Sequence, residues 1–354
     1  MVLFFYLAVL LLALIGCKVT CKGFFAEESL SRNVTDSVKG IFILAVFFSH
    51  FKSYVTYTSR VDVAGARISL WLGQLIVACF LFYSGYGVCQ AIERRGDVYV
   101  RAMPKNRILK TVLHFGLALL LFLPIYLWKT EPISLRTILL SLVGWESIGN
   151  SNWYIFVILA LYTITWLSFT VIKGHLKLSA LVSSVGTLLL IFFLHETKDS
   201  WWYDTTLCYV LGIWFSVYKQ KILAFLCKSN LRWALSFLGV SALFFGLYYF
   251  TPTATLPRYA RLLLLAPAFC LLVQVLLVKI RISNKVLVFL GGHLFEIYIL
   301  QRLPMILFKD LGLDQVNLYL YFLACAVGTL LLSVAFRYAV SRLDARLFRG
   351  KKPS

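Results

Sequence analysis

The sequence predicts an all-α polytopic membrane protein with about eleven transmembrane helices. Three observations carry that prediction. Hydrophobic residues make up 60% of the 354-residue chain and charged residues only 14%, with mean hydropathy of +0.83, which excludes an ordinary soluble domain. Apolar runs long enough to cross a ~30 Å hydrocarbon core recur from end to end. Lysine and arginine are divided unequally between alternate loops.

In chain order the runs are 2–16, 38–55, 68–92, 107–128, 153–172, 178–195, 204–218, 231–250, 261–279, 285–307 and 318–340. The first and seventh are short. The first opens without a charge, at Met1-Val2-Leu3-Phe4-Phe5. Lys39 and His50 stand near the two ends of the second, and the fourth enters through the basic stretch Lys105–Lys110. Trp153-Tyr154 opens the fifth, and the tenth carries Glu296 and Tyr298. Connections are short, and nothing resembles a soluble domain or a repeat array. The expected organisation is a single integral membrane domain over 1–354: an extra N-terminal helix and loop (1–30), a core (31–345) and a basic tail (346–354).

The loops after runs 1, 3, 5, 7 and 9, with the C-terminal tail and flanking residues, hold 25 of the 35 Lys and Arg residues; the other loops hold 10. This asymmetry places the first set and the C-terminus in the cytoplasm. The net charge of +20 therefore reports topology rather than nucleic-acid binding, with anionic lipid or a phosphorylated substrate as secondary partners. Eight cysteines form no metal-spaced cluster, so neither a disulfide framework nor a metal site is expected. Leu14-Ile15-Gly16-Cys17 looks like a lipoprotein cleavage box but lacks a basic segment before it, so the first helix should be retained. The sequon Asn33-Val34-Thr35 falls on the predicted inner side and is given no weight.

The intramembrane polar residues carry the functional signal. Eleven positions at about 100° per residue bring His50 within about 20° of the face of Lys39, about 16 Å further along the helix. Asp36 falls within about 40° of the same face. A titratable ring that deep is expensive to bury without a use, and a general base is one such use. A lysine at an inner rim is also what topology alone requires, and a histidine bonded for packing is the plain alternative. Arg107, Lys110 and His114 are spaced i, i+3, i+7, a cationic stripe suited to a phosphate-bearing ligand or simply to anchoring; Arg94, Arg95 and Arg101 precede it. Glu296 lies eleven residues past Lys285, a depth comparable to His50, so Glu296 or Tyr298 could orient His50 or the acceptor. Pairing of Glu296 with His293, three residues away, explains it equally well. Trp145, Trp153-Tyr154 and Trp201-Trp202-Tyr203 read as interfacial aromatics, while the polar run Glu146–Asn152 could line an outer cavity for a hydroxylated ligand.

Five stretches together resemble the membrane-bound acyltransferase family 3. Asp36 to Phe51, with Lys39 and His50, looks like the family's basic-x10-His signature, with lysine where arginine is commoner. Phe80 to Gly87 is similar to its Ser-Gly motif, here Ser84-Gly85. Lys105–Lys110 loosely matches a basic helix start, keeping Arg107 and Lys110. Asn152-Trp153-Tyr154 resembles its Trp-Tyr helix start. Gly291 to Gln301 resembles its late motif, with Leu294 at the usual serine and Gln301 at the usual histidine.

The resemblance covers nearly everything after residue 30 and implies a ten-helix core, with run 2–16 an eleventh helix ahead of it. It further implies a bacterial inner-membrane enzyme that takes an acyl group, often acetyl, from cytoplasmic acyl-CoA as co-substrate. The acceptor would be a hydroxyl on an envelope glycan or other extracytoplasmic molecule. Lys39, Arg107, Lys110 and Arg95 would then meet the donor phosphates, and Ser84, Asn152, Trp153, Tyr154 and Tyr298 would line the cavity. His50 would act as general base, with Glu296 assisting; no Ser or Cys nucleophile stands beside it. The competing readings are a transporter or flippase using His50 and Glu296 as a proton relay, and a non-catalytic scaffold.

Overall fold

Helices begin where a short polar side chain precedes an apolar run. In the computed structural model, Ser31, Ser134 and Ser229 each accept a backbone N–H two or three residues into the helix that follows them. Asn284 and Asn317 each accept two. The structure describes residues 1–56, 59, 62, 63, 65, 72–129, 133–250 and 258–348, with only the backbone of 250, 258 and 259. The start of run 68–92 and the basic tail beyond 348 lie outside the described residues.

The helices are α1 (Val2–Leu14), α2 (Arg32–Phe51), α3 (Leu75–Arg95), α4 (Asp97–Met103), α5 (Lys110–Lys129), α6 (Leu135–Leu142), α7 (Trp153–Val171) and α8 (Leu176–Thr197). There follow α9 (Leu207–Val217), α10 (Lys219–Leu226), α11 (Asn230–Phe245), α12 (Arg258–Leu277), α13 (Lys285–Gly292), α14 (Leu294–Leu300), α15 (Arg302–Asp310), α16 (Leu313–Val316) and α17 (Leu318–Leu347). A two-residue antiparallel ribbon, β1 (Lys18–Val19) with β2 (Ile280–Arg281), ties the loop after α1 to the loop before α13.

Among the described residues, eight helices are long and apolar enough to cross a membrane, and a bent pair supplies a ninth. The bend, 62°, separates α13 from the run Leu294–Asp310, so the predicted span 285–307 is a broken helix. Two predicted spans are shorter than a bilayer requires. α1 has 13 residues and α9 has 11, about 20 Å and 16 Å long. α9 is short because it is packed inside the bundle against α3 and has no need to match the lipid thickness.

Burial separates the centre of the bundle from its rim. In α3 and α2, 78% and 67% of the apolar window is buried, against 6% in the helix from Asn230. Two reciprocal glycine contacts make the central crossings close. A Cβ on Gly40 would overlap the Leu287 carbonyl, and one on Gly291 would overlap the Asp36 carbonyl, so α2 and α13 touch backbone to backbone. Gly85 and Gly212 do the same for α3 and α9, against Tyr209 and Phe82.

The loops alternate between two faces as the charge count requires. On the basic face Glu27 meets Lys219 at 2.5 Å, Glu28 meets Arg281, and the Lys279 ammonium donates to the carbonyls of Cys21 and Gly23. On the opposite face Lys129 meets Asp310 at 2.6 Å, Lys309 donates to the Tyr54 carbonyl and Lys198 donates to that of Trp145.

Candidate active site

Lys39 lies in the third turn of α2, where the close crossing with α13 brings Gly291 and Gly292 to its side. These residues join three cavities that run inward from the basic face. The first, about 700 Å³, opens between Glu27, Arg32, Arg94, Arg95 and Lys219 and reaches Lys39 and Arg107. The second, about 330 Å³, shares Lys39, Arg107, Gly87 and Gly291 with it and adds Ser84, Tyr154 and Tyr162. The third, about 290 Å³, shares Arg107, Ser84 and Tyr154 and adds Lys110 and His114.

The six cations of the first cavity are not equally free. Lys39 is held by Asp36 at 2.6 Å, and Arg32 lies 3.4 Å from the same carboxylate. Lys219 is held by Glu27. Arg94, Arg95 and Arg107 form no salt bridge among the described residues, so their charge is available to an anion. Arg107, half-buried, donates to the Tyr99 hydroxyl at 2.9 Å and lies 5.8 Å from the Tyr162 ring centre.

The predicted stripe Arg107, Lys110, His114 faces one cavity, but its members are engaged differently. The backbone over Pro104–Leu109 is a π-helix, which changes the angle per residue just before α5. Arg107 turns to Tyr99. Lys110 and His114 instead bind the two oxygens of Asp344 on α17, at 3.1 and 3.0 Å. Nothing in the spacing of the fourth run announces a partner some 230 residues away.

His50 lines none of these three cavities. Its ring is 6.1 Å from that of Tyr298, and Tyr298 is 5.3 Å from Tyr154, the residue at the inner end of the path. Two tyrosine rings therefore stand between the cavities and the imidazole. The His50 Nδ1 atom lies 3.3 Å from the Ser151 hydroxyl. Ser151 is presented by a self-bonded loop. Asn150 accepts the Ile148 N–H, Ser147 donates to the Asn150 carbonyl, and Asn152 donates to the Gly144 carbonyl. The predicted outer-cavity run 146–152 thus spends much of its polarity on its own backbone. Lys198 clamps the loop from outside, 3.8 Å from the Trp145 ring centre and 4.4 Å from that of Trp202. Desolvation between these indoles holds its pKa below the usual lysine value, against the opposing pull of Glu146 and Asp199.

Glu296 does not meet His50. Its carboxylate is 3.9 Å from Arg337 on α17, whose guanidinium also donates to the Gly292 carbonyl. His293 is not its partner either, since its Nδ1 bonds the Phe289 carbonyl at 2.9 Å. The 62° bend accounts for this: counting turns from Lys285 assumes one straight helix, and the break at His293 resets which face Glu296 occupies. Trp153 packs edge-on against Tyr154, 5.9 Å between ring centres, and Ser84 neighbours the Tyr154 hydroxyl.

Sequence reasoning missed Tyr162, Asp344 and Arg302, and it placed Ser151 in the polar run 146–152 without foreseeing its contact with His50. Arg302 acts electrostatically on His50, Tyr54 and Tyr298, yet near the outer end of run 285–307 it reads as an ordinary topological residue. Its one sequence signal is its position four residues past Tyr298, on the same helix face.

Residues 34–338 match the family model described as an acyltransferase domain, a span that runs from the first turn of α2 into α17 and includes Lys39, His50, Arg107, Ser151, Tyr154 and Tyr298. Neither the curated proteins nor the solved structures include a match to this chain. The matched segment covers most of the sequence, and the chain therefore belongs to acyltransferase family 3, as a multi-pass membrane acyltransferase.

Proposed function

We propose that the protein transfers an acyl group, typically acetyl, from acyl-CoA entering at the basic face to a hydroxyl of an acceptor on the opposite face. The family assignment sets aside the transporter and scaffold readings. The observation that carries the directional part is the cavity series. Arg94 and Arg95 stand at its mouth and Arg107 further in, none with a salt-bridge partner among the described residues, and its far end is Tyr154, whose ring meets that of Tyr298, which in turn meets His50. The cations suit the donor's phosphates, and the smaller cavities lined by Ser84, Tyr154 and Phe295 suit its extended arm. By the positive-inside rule the basic face is cytoplasmic and the acceptor, an envelope glycan or another hydroxylated molecule, lies outside.

In this reading His50 donates its Nδ1–H to Ser151, leaving the Nε2 lone pair to take the proton of the acceptor hydroxyl. The freed oxygen bonds to the thioester carbonyl carbon, the carbon–sulfur bond breaks, and the departing thiolate receives the proton from His50. Tyr154 and Tyr298 must shift aside for the thioester to arrive. Glu296, bound to Arg337, positions the broken helix against α17 and takes no part in proton transfer. The test is thiol release from acetyl-CoA by the purified protein in nanodiscs, with and without envelope glycan. Glycan-stimulated release is expected, and its absence for every acyl-CoA offered would refute the donor assignment.

A further inference from the structure

Arg302 is a cation in the half of the bundle that holds His50, and its placement follows from helix spacing. It lies four residues past Tyr298, on the same helix face, and the 3-10 turn Lys52–Tyr54 that closes α2 brings Tyr54 against it. The Arg302 guanidinium stands 6.0 Å from the Tyr54 ring centre, and its charge acts on His50 and Tyr298 as well. Lys309, the cation nearest it in sequence, is engaged, donating to the Tyr54 carbonyl. Arg302 forms no salt bridge among the described residues, and its Nε is buried without a hydrogen-bond acceptor among them. An intramembrane guanidinium lacking a counter-anion is costly, and its retention points to an anion that forms there transiently.

Tyr298 supplies a second donor. The residue is 3% exposed, and its hydroxyl is buried without a hydrogen-bond partner of ordinary geometry among the described residues. We propose that Arg302 and the Tyr298 hydroxyl form the oxyanion site of the acyl transfer. The proposal rests on the acyltransferase reading given above. As the acceptor oxygen bonds to the thioester carbonyl carbon, the C=O electron pair moves onto oxygen. An Arg302 N–H and the Tyr298 O–H donate to that oxyanion. The pair returns as the carbon–sulfur bond breaks, and the proton held on His50 passes to the thiolate. Donors that serve charge appearing only in the transition state raise kcat and leave donor KM nearly unaltered.

The experiment measures thiol release from acetyl-CoA, with water as acceptor, by the full chain in nanodiscs. Arg302→Ala is expected to lower kcat about 100- to 1,000-fold with KM for acetyl-CoA within about twofold. Guanidinium chloride, compared with sodium chloride at equal ionic strength, should restore part of the Arg302→Ala rate, and Arg302→Lys should keep an intermediate rate. Tyr298→Phe should lose about tenfold in kcat. Unchanged kcat in Arg302→Ala overturns the proposal, as does a loss confined to KM. A loss that neither lysine nor guanidinium relieves assigns Arg302 to structure and overturns it too. If Arg302→Ala is not recovered monodisperse, Arg302→Lys decides. His50→Ala separates the two readings: full turnover there with loss in Arg302→Ala removes the base and leaves the oxyanion site, and the reverse removes Arg302 alone. A wild type that releases no thiol with either water or envelope glycan as acceptor removes the donor reading and this step with it.

Discussion

The Asp36 carbonyl and the Cα of Gly291 are in contact, so the α2–α13 crossing has no space for a side chain. The crossing sets Lys39 beside Gly292 at the junction of the first two cavities, which makes the contact a condition of the site's geometry. Gly291→Ala should destabilise the protein by about 1–3 kcal/mol or more, because backbone lies on both sides and neither can give way. Gly292→Ala should be nearly neutral, its nearest neighbour being the Arg337 guanidinium at 4.0 Å. Thermal unfolding in detergent compares them directly, and equal melting temperatures would refute the backbone-contact account.

Arg107 and Lys110 should not contribute equally to donor binding. Arg107 is free of any carboxylate among the described residues, whereas Lys110 is 3.1 Å from Asp344. A charge-assisted hydrogen bond contributes about 1.5–3 kcal/mol, so Arg107→Ala should raise KM for acetyl-CoA about tenfold or more. Lys110→Ala should raise it less and instead loosen α17 against α5. An unchanged KM in Arg107→Ala would assign that residue to anchoring.

Ser151 is expected to orient the His50 ring. Ser151→Ala removes the 3.3 Å contact without touching the loop's internal hydrogen bonds, which run through Ser147, Asn150 and Asn152. The expected result is kcat about tenfold lower with an unaltered melting temperature, since the net loss is one hydrogen bond of ~1 kcal/mol. Wild-type kcat in Ser151→Ala would show that the imidazole is held by packing alone.

Glu296→Gln distinguishes a catalytic carboxylate from a docking one. The ion pair with Arg337 is long, at 3.9 Å, and the Arg337 side chain is 42% exposed, so little stability rides on it. Turnover within about threefold of wild type is expected. A loss of several hundredfold would return Glu296 to the proton-transfer machinery.

Much of the bundle is legible in composition and charge because lipid imposes a length and a polarity on each lipid-facing helix. α9 escapes that rule by being buried in protein, which is why its run reads as short. Direction around the axis was readable only where the helix is regular. Lys39 and Asp36 share a regular α2 and share a cavity. Glu296 lies past a 62° bend, where the count of 100° per residue fails, and Arg107, in a π-helical turn, still shares a cavity with Lys110 and His114 but bonds a different partner. Ser151 and Asp344 reach the site through tertiary packing, a relation that local spacing does not encode.

The account depends on His50 as the group that removes the acceptor proton. Its most direct test is transfer from radiolabelled acetyl-CoA to envelope glycan by His50→Ala protein in nanodiscs, with insertion and monodispersity verified. The account predicts transfer reduced at least 100-fold with acetyl-CoA binding retained, within the 10²–10⁴ that a general base contributes. Transfer at the wild-type rate would contradict it.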